Sequence, residues 1–258
     1  MTAAGARLFD LHGRTALITG ASRGIGRMAA ETLAAAGARV ILTARSHDAL
    51  LHLAGGMNAE GREAVALTLD ITDEEAVLAV IARLEAAGLA PDILVNNAGV
   101  IDRSPLEGSQ TANWRTVVET NLVAPYVLCR EVSRAMRRRK WGRIVNIASI
   151  LAIQGKKNAH AYSATKHGVA GLTRALAAEL GGEGITANAI CPGYIRTEIN
   201  VSLQRDAKFN AMVEARVPAG RWGETKDLAG PLLFLCSEAS AFVNGHLLVV
   251  DGGMTVTH

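Results

Sequence analysis

The chain has 258 residues, 49% of them hydrophobic, which is enough to fill a large buried core. Its 27 basic and 24 acidic residues give a net charge of +3, too balanced for a nucleic-acid binder. No apolar run approaches the roughly 20 residues that span a bilayer, and Cys129, Cys191 and Cys236 lack the spacing of a disulfide framework or a metal site.

Short apolar runs rich in Val and Ile predict strands at Thr15–Thr19, Arg39–Thr43, Ala64–Thr68, Ile93–Asn96, Arg143–Ile147 and Thr186–Cys191, with a last one at His246–Val250. Amphipathic stretches between them predict helices, most clearly at Gly24–Ala36, Asp73–Ala87, Asn113–Arg139 and Ala161–Leu180. Thr72 or Asp73 starts one helix, and Gly37 and Gly88 close two others. Aromatics are only 4% of the chain, so small aliphatic side chains must let helices lie close on a sheet. This alternation predicts an α/β fold: a single Rossmann-type domain over residues 1–258, with a doubly wound parallel sheet and helices on both faces. The least regular stretch, Pro192–Gly220, follows a strand, where a substrate lid over about 193–220 is expected. Met1–Asp10 has no apolar signal core, and this and three free thiols lead to the expectation of a cytoplasmic protein.

The turn Thr19-Gly20-Ala21-Ser22-Arg23-Gly24-Ile25-Gly26 joins the first strand to the first helix. Its glycines permit a tight turn and close approach of a pyrophosphate, and the helix end supplies free N–H groups and the positive end of its dipole. NAD sites carry an acid at the end of the second strand, where it holds the ribose hydroxyls. Here that strand ends Thr43-Ala44-Arg45, with no carboxylate until Asp48. Arg45, and Arg23 from the other side, suit a 2′-phosphate. NADP is favoured, with use of both cofactors left open.

Further along lie Asp70, Asn96-Asn97-Ala98-Gly99, Asn121, Ser149, Tyr162-x-x-x-Lys166 and Pro192-Gly193. Together with the glycine turn, and in this order, they make the chain resemble the short-chain dehydrogenases/reductases along essentially its whole length. The resemblance implies a catalytic tetrad of Asn121, Ser149, Tyr162 and Lys166, with Asn121 acting on Lys166 through water. It implies a dinucleotide held by Gly20, Ser22, Arg23, Gly24, Ile25, Gly26, Arg45, Asn97, Ala98 and Gly99, with Asp70 and Ile71 beside the adenine. Tyr162, Lys166, Pro192, Gly193, Ile195 and Thr197 complete the implied cofactor site at the nicotinamide. It also implies a homotetramer, or next a dimer, paired through the alanine-rich helices that carry Asn121 and Tyr162.

The chemistry agrees with these assignments. Carbonyl reduction needs a hydride on carbon and a proton on oxygen. A free phenol, with a pKa of about 10, is a poor acid at neutral pH. Tyr162 and Lys166 are four apart and share a helix face, so the ammonium is expected to lower the phenol's pKa. Ser149, at the end of the fifth strand, would hydrogen-bond the substrate oxygen. No Gly-x-Ser-x-Gly elbow surrounds it, which disfavours a serine hydrolase.

For substrate, Arg103–Glu107, Pro218–Gly223, Phe242–Gly245 and Val250–Thr257 are similar to gluconate 5-dehydrogenases. The segment Ile150–Asn158 (ILAIQGKKN) departs from their polar, acid-containing loop and leaves a broader keto-sugar acid, polyol or ketone substrate open. Lys156, Lys157, Arg103 and Arg196 are candidates to meet a carboxylate. A 3-oxoacyl-carrier-protein reductase or general carbonyl reductase is the alternative, and a non-catalytic NADP-binding protein is the remaining one. The basic run Arg134–Lys140 reads as a helix C-terminus whose dipole favours cations. His160 reads as a rim residue and Trp222 as an anchor for the lid base. No metal site, nucleic-acid contact or membrane contact is expected.

Overall fold

The computed structural model describes Gly5 and residues 7–257. Seven strands form one parallel sheet: β1 Thr15–Thr19, β2 Arg39–Ala44, β3 Ala64–Thr68, β4 Ile93–Asn96, β5 Gly142–Ile147, β6 Ile185–Pro192 and β7 Leu247–Val250. Their order is β3-β2-β1-β4-β5-β6-β7. Adjacent parallel strands need crossovers, and the helices supply them. In chain order these are α1 Gly24–Ala35, α2 His47–Ala59, α3 Glu74–Ala86, α4 Thr111–Val118, α5 Ala124–Arg139, α6 His160–Leu180, α7 Val201–Gln204, α8 Ala207–Arg216 and α9 Ala229–Cys236.

The predicted strands sit within a residue or two of the observed ones. Asp73 caps α3, its carboxylate accepting from Ala76 N at 3.0 Å, and Gly37 and Gly88 take φ of +96° and +71° just past their helices. The core lies on both faces of the sheet. On one side, Ala29, Ala30 and Leu33 of α1 pack with β1, β2 and α9. On the other, Val127, Leu128 and Val132 of α5 pack with Leu17, Leu94 and Ile144.

Three differences from the expected elements have local causes. The helix expected over Asn113–Arg139 is divided: between α4 and α5 the chain makes one π-helical turn, Glu119–Val123. Pro125, in the first turn of α5, has no N–H to return to the Asn121 carbonyl, so regular bonding fails there. Second, α2 and α9 were not among the clear helices. Gly55 and Gly56 weaken the pattern of α2, and α9 (AGPLLFLC) is apolar all round, so neither shows a clean amphipathic period. Third, the segment expected to be irregular holds the short helices α7 and α8, the latter capped by Asp206.

The basic run is consumed by ion pairs. Arg134 meets Glu131 at 3.1 Å, Arg137 meets Glu179 at 2.7 Å, Arg138 pairs with Glu85, Arg139 meets Asp92 at 3.0 Å and Lys140 meets Glu183 at 3.5 Å. It is a neutralised helix end, not a cationic patch. No helix among the described residues is long and apolar enough to cross a membrane.

Candidate active site

The direction in which successive strands are added reverses between β1 and β4, one leading outward to β2 and the other to β5. In open parallel sheets the loops diverge at such a point and leave a crevice at the carboxyl ends of the strands. A cleft of about 1200 Å³ opens there. Its wall is built from the first residues after each strand: Gly20 after β1, Arg45 after β2, Asp70 after β3, Asn97 after β4, Ser149 after β5 and Gly193 after β6.

At one end the wall is mostly backbone. Gly20 and Gly24 take φ of +64° and +54°, where a side chain is strained. A Cβ on Gly20 would lie 2.9 Å from Asn97 Nδ2 and 3.0 Å from Ala98 Cα. Thr19 and Asn97 fix the two loops across the crevice. The Asn97 amide donates to Thr19 O at 2.8 Å, and the N–H groups of Asn97 and Ala98 both donate to Thr19 Oγ1 at 3.0 Å. No side chain caps the first turn of α1, and no acidic residue occupies it, so its N–H groups have no partner from the helix's own first turn, although the Glu198 carboxylate approaches Gly24 from across the cleft. Arg23 and Arg45 are exposed there and form no ion pair among the described residues. Asp70 is held below the usual carboxylate range by the backbone N–H and hydroxyl of Thr72, with the Arg45 charge adding to this.

At the other end side chains converge. Ser149 follows β5, its Oγ accepting from Leu151 N at 3.1 Å. Tyr162 lies in the first turn of α6. Burial pushes its phenol above the ordinary value, partly opposed by a hydrogen bond with Ser149 and the charge of Arg103. One turn on, Lys166 is buried. Its ammonium donates to the Ile147 carbonyl at 2.7 Å and lies 5.4 Å from the centre of the Tyr162 ring. Desolvation lowers the amine to about 8. The phenol is thus shifted up where the four-residue spacing led to an expected lowering: withdrawal from water outweighs the Ser149 hydrogen bond and the Arg103 charge, and it also moves the Lys166 amine toward neutrality.

The cleft gathers the expected residues Gly20, Ser22, Arg23, Gly24, Ile25, Arg45, Asp70, Ile71, Asn97, Ala98, Gly99, Ser149, Tyr162, Lys166, Pro192, Gly193, Ile195 and Thr197. Two stand behind its wall. Gly26 is buried, and a Cβ there would lie 2.2 Å from Gly20 O, so its place is packing under the turn. Asn121 is 1% exposed. Its side chain clasps Val100, accepting from the N–H and donating to the carbonyl, each at 2.8 Å, and reaches Thr165 Oγ1 at 3.4 Å. It thereby joins the loop after β4 to the helix that carries Tyr162. Among the candidate cations, Arg103, Lys156 and Lys157 line the cleft. Arg196 instead pairs with Glu224 at 3.4 Å.

Sequence reasoning missed Tyr194, Phe209 and Glu198. Tyr194 and Phe209 meet edge to face at 5.4 Å between centroids, and both pack on Trp222. Trp222 is 1% exposed and donates to Asn210 Oδ1 at 2.8 Å, as an anchor should. Ten aromatic residues in the whole chain make three in one place a usable signal. The Glu198 carboxylate lies 3.2 Å from where a Gly24 Cβ would stand, and nothing in the sequence pattern marks that approach. His160 stacks on Trp114 outside the cleft.

The sequence profile of the family described as enoyl-(acyl-carrier-protein) reductase matches residues 20–255. The gluconate 5-dehydrogenase of Gluconobacter oxydans is 42% identical over 97% of this chain and 98% of its own. The 2-dehydro-3-deoxy-D-gluconate 5-dehydrogenase of Bacillus subtilis is 44% identical over 95% and 96%. A 3-oxoacyl-[acyl-carrier-protein] reductase of Escherichia coli is 39% identical over 95% and 98%. A crystal structure of a gluconate 5-dehydrogenase from Burkholderia cenocepacia, in complex with NADP and tartrate, superposes with a TM-score of 0.96 at 40% identity, covering 98% of this chain and all of that one. With the order of motifs, the sheet topology and these likenesses in agreement, the chain belongs to the short-chain dehydrogenase/reductase family.

Proposed function

We propose that this protein is an NADP(H)-dependent oxidoreductase that interconverts a carbonyl and a secondary alcohol, with a keto-sugar acid as substrate. The observation that carries the reading is one cleft with two differently built ends: a flush glycine turn flanked by two exposed arginines, and a Ser149–Tyr162–Lys166 group in which the serine and lysine are buried and the tyrosine half-buried. The residues present fit the dinucleotide. The turn has no room for a Cβ at Gly20, the N–H groups at the start of α1 suit a pyrophosphate, and Arg23 and Arg45 suit a 2′-phosphate. When bound, the dinucleotide supplies or takes the hydride.

The chain's own residues handle the oxygen and its proton. Ser149 Oγ donates a hydrogen bond to the substrate oxygen, and Tyr162 gives that oxygen a proton in the reducing direction or takes one in the reverse. The phenol carries its proton at neutral pH, as an ordinary phenol does, and Tyr162 is the donor in the reducing direction. With its amine at about 8, Lys166 is still about nine-tenths ammonium at pH 7 and stabilises the tyrosinate left behind. Asn121, clasping Val100, acts as a positioning residue for this end. Residues 193–220, with Tyr194 and Phe209, serve as the lid.

The sugar-acid assignment is supported by the gluconate and deoxygluconate dehydrogenases among the relatives and by three cations lining the cleft. The resemblance to 3-oxoacyl-carrier-protein reductase supports a second reading, in which Lys156 and Lys157 face an acidic carrier. The reading includes a cytoplasmic homotetramer with no nucleic-acid or membrane partner. Trp114 of α4 and Tyr126 of α5 are partly exposed on helices that such an assembly would bury. The test is an NADPH-oxidation screen over keto-sugar acids, neutral diketones and acetoacetyl thioesters, repeated with NADH. Turnover of 5-ketogluconate with NADPH is expected. Turnover of thioesters alone would replace the assignment with the second reading.

A further inference from the structure

The loop Ile150–Asn158, which follows Ser149, delivers a cation with an unusual setting. The Lys156 ammonium donates to the Tyr194 hydroxyl at 2.9 Å. It lies 4.8 Å from the centre of the Tyr194 ring and 5.2 Å from that of Phe209. Two aromatic faces attract and orient a cation, but they offer it only one oxygen. An ammonium carries three N–H donors, so two remain uncommitted. No carboxylate pairs with Lys156 among the described residues, unlike Arg196. Arg103 and Lys157 also line the cleft, but no hydrogen bond or ion pair among the described residues fixes either side chain.

The shelf also stands at the chemical end of the cleft. Tyr162, Tyr194 and Phe209 all pack against one apolar cluster that contains Ile150, Leu151 and Trp222. That cluster fixes the two aromatic rings in place, while the ammonium itself stays exposed on the cleft side where a ligand can reach it. The cation spans two segments: its own loop belongs to the floor beside Tyr162, while Tyr194 and Phe209 belong to the segment expected to close over the cleft.

We propose that Lys156, held on the Tyr194–Phe209 shelf, is the specificity-determining residue that receives the carboxylate of the substrate and ties the lid to the catalytic floor. This rests on the keto-acid reading above. A carboxylate with its carbonyl presented to Tyr162 supplies the acceptor that the shelf lacks, and a neutral ketone leaves it unused.

The experiment is steady-state NADPH oxidation by the full chain and its Lys156→Gln and Lys156→Arg variants. The substrates are 5-ketogluconate and a neutral diketone, and thermal melting and NADPH binding serve as checks on the fold. In Lys156→Gln the KM for 5-ketogluconate is expected to rise tenfold or more, as loss of a charge-assisted hydrogen bond implies, while its kcat stays within about threefold. The neutral diketone should keep its kcat/KM within about twofold, and Lys156→Arg should recover most of the lost affinity. Equal losses on both substrates, or no loss on either, overturn the role of Lys156 while leaving the keto-acid reading intact. A wild-type protein that reduces the diketone or a thioester but ignores 5-ketogluconate overturns both.

Discussion

The two ends of the cleft are made of different material. The end at β1–β4 is backbone: glycines at positive φ, uncapped N–H groups, and a threonine–asparagine lock between two loops. The end at β5, β6 and α6 is side chain: a hydroxyl, a phenol, an amine and an aromatic shelf gathered from segments far apart in sequence. Backbone gives a site that any sequence with the right glycines can rebuild, and it recognises the part of the ligand that every such enzyme shares. Side chains give a site whose chemistry and selectivity change one residue at a time.

If the ends are separable in this way, substitutions at each should leave the other's readout in place. The largest effect belongs to the chemical end. Tyr162→Phe removes the only proposed proton donor, and turnover should fall by about 10²- to 10⁴-fold, measured as NADPH oxidation at saturating substrate. Next comes the binding end. Arg45→Ala should raise the KM for NADPH by about tenfold while leaving that for NADH little changed, because only the 2′-phosphate loses a partner. A parallel loss with NADH would mean that Arg45 supports the loop rather than the phosphate.

The smallest effect is in the pH profile. Lys166 has its pKa lowered to about 8, so the ammonium is present below that pH and lost above it. The kcat/KM for reduction reports the free enzyme, and it should fall about fourfold between pH 7 and 8.5, the loss expected from titrating one group at that value. A flat profile across that range would show that the amine's charge does not matter.

The same contrast explains what could be read before any coordinates. The strands were legible because parallel strands buried on both faces become continuous Val/Ile/Leu runs. The glycine turn was legible because Gly20 and Gly24 satisfy constraints that only glycine meets. Tyr162 and Lys166 were legible because a four-residue spacing fixes them on one helix face. The protonation of that pair was not, since it depends on how deeply each group is buried. The π turn at Asn121 was hidden inside a continuous helical pattern, although Pro125 was its signal. The Tyr194–Phe209 shelf was not legible from periodicity, because it joins two residues fifteen positions apart beyond a strand end, and only the scarcity of aromatics pointed to it.

The separation of binding from chemistry is tested most directly by the NADPH dissociation constant of the Tyr162→Phe protein, read by fluorescence titration. The account predicts a value within about threefold of the unsubstituted protein, in a variant that no longer turns over. A dissociation constant raised tenfold or more would mean that the phenol holds the cofactor as part of one undivided site, and the account would be wrong.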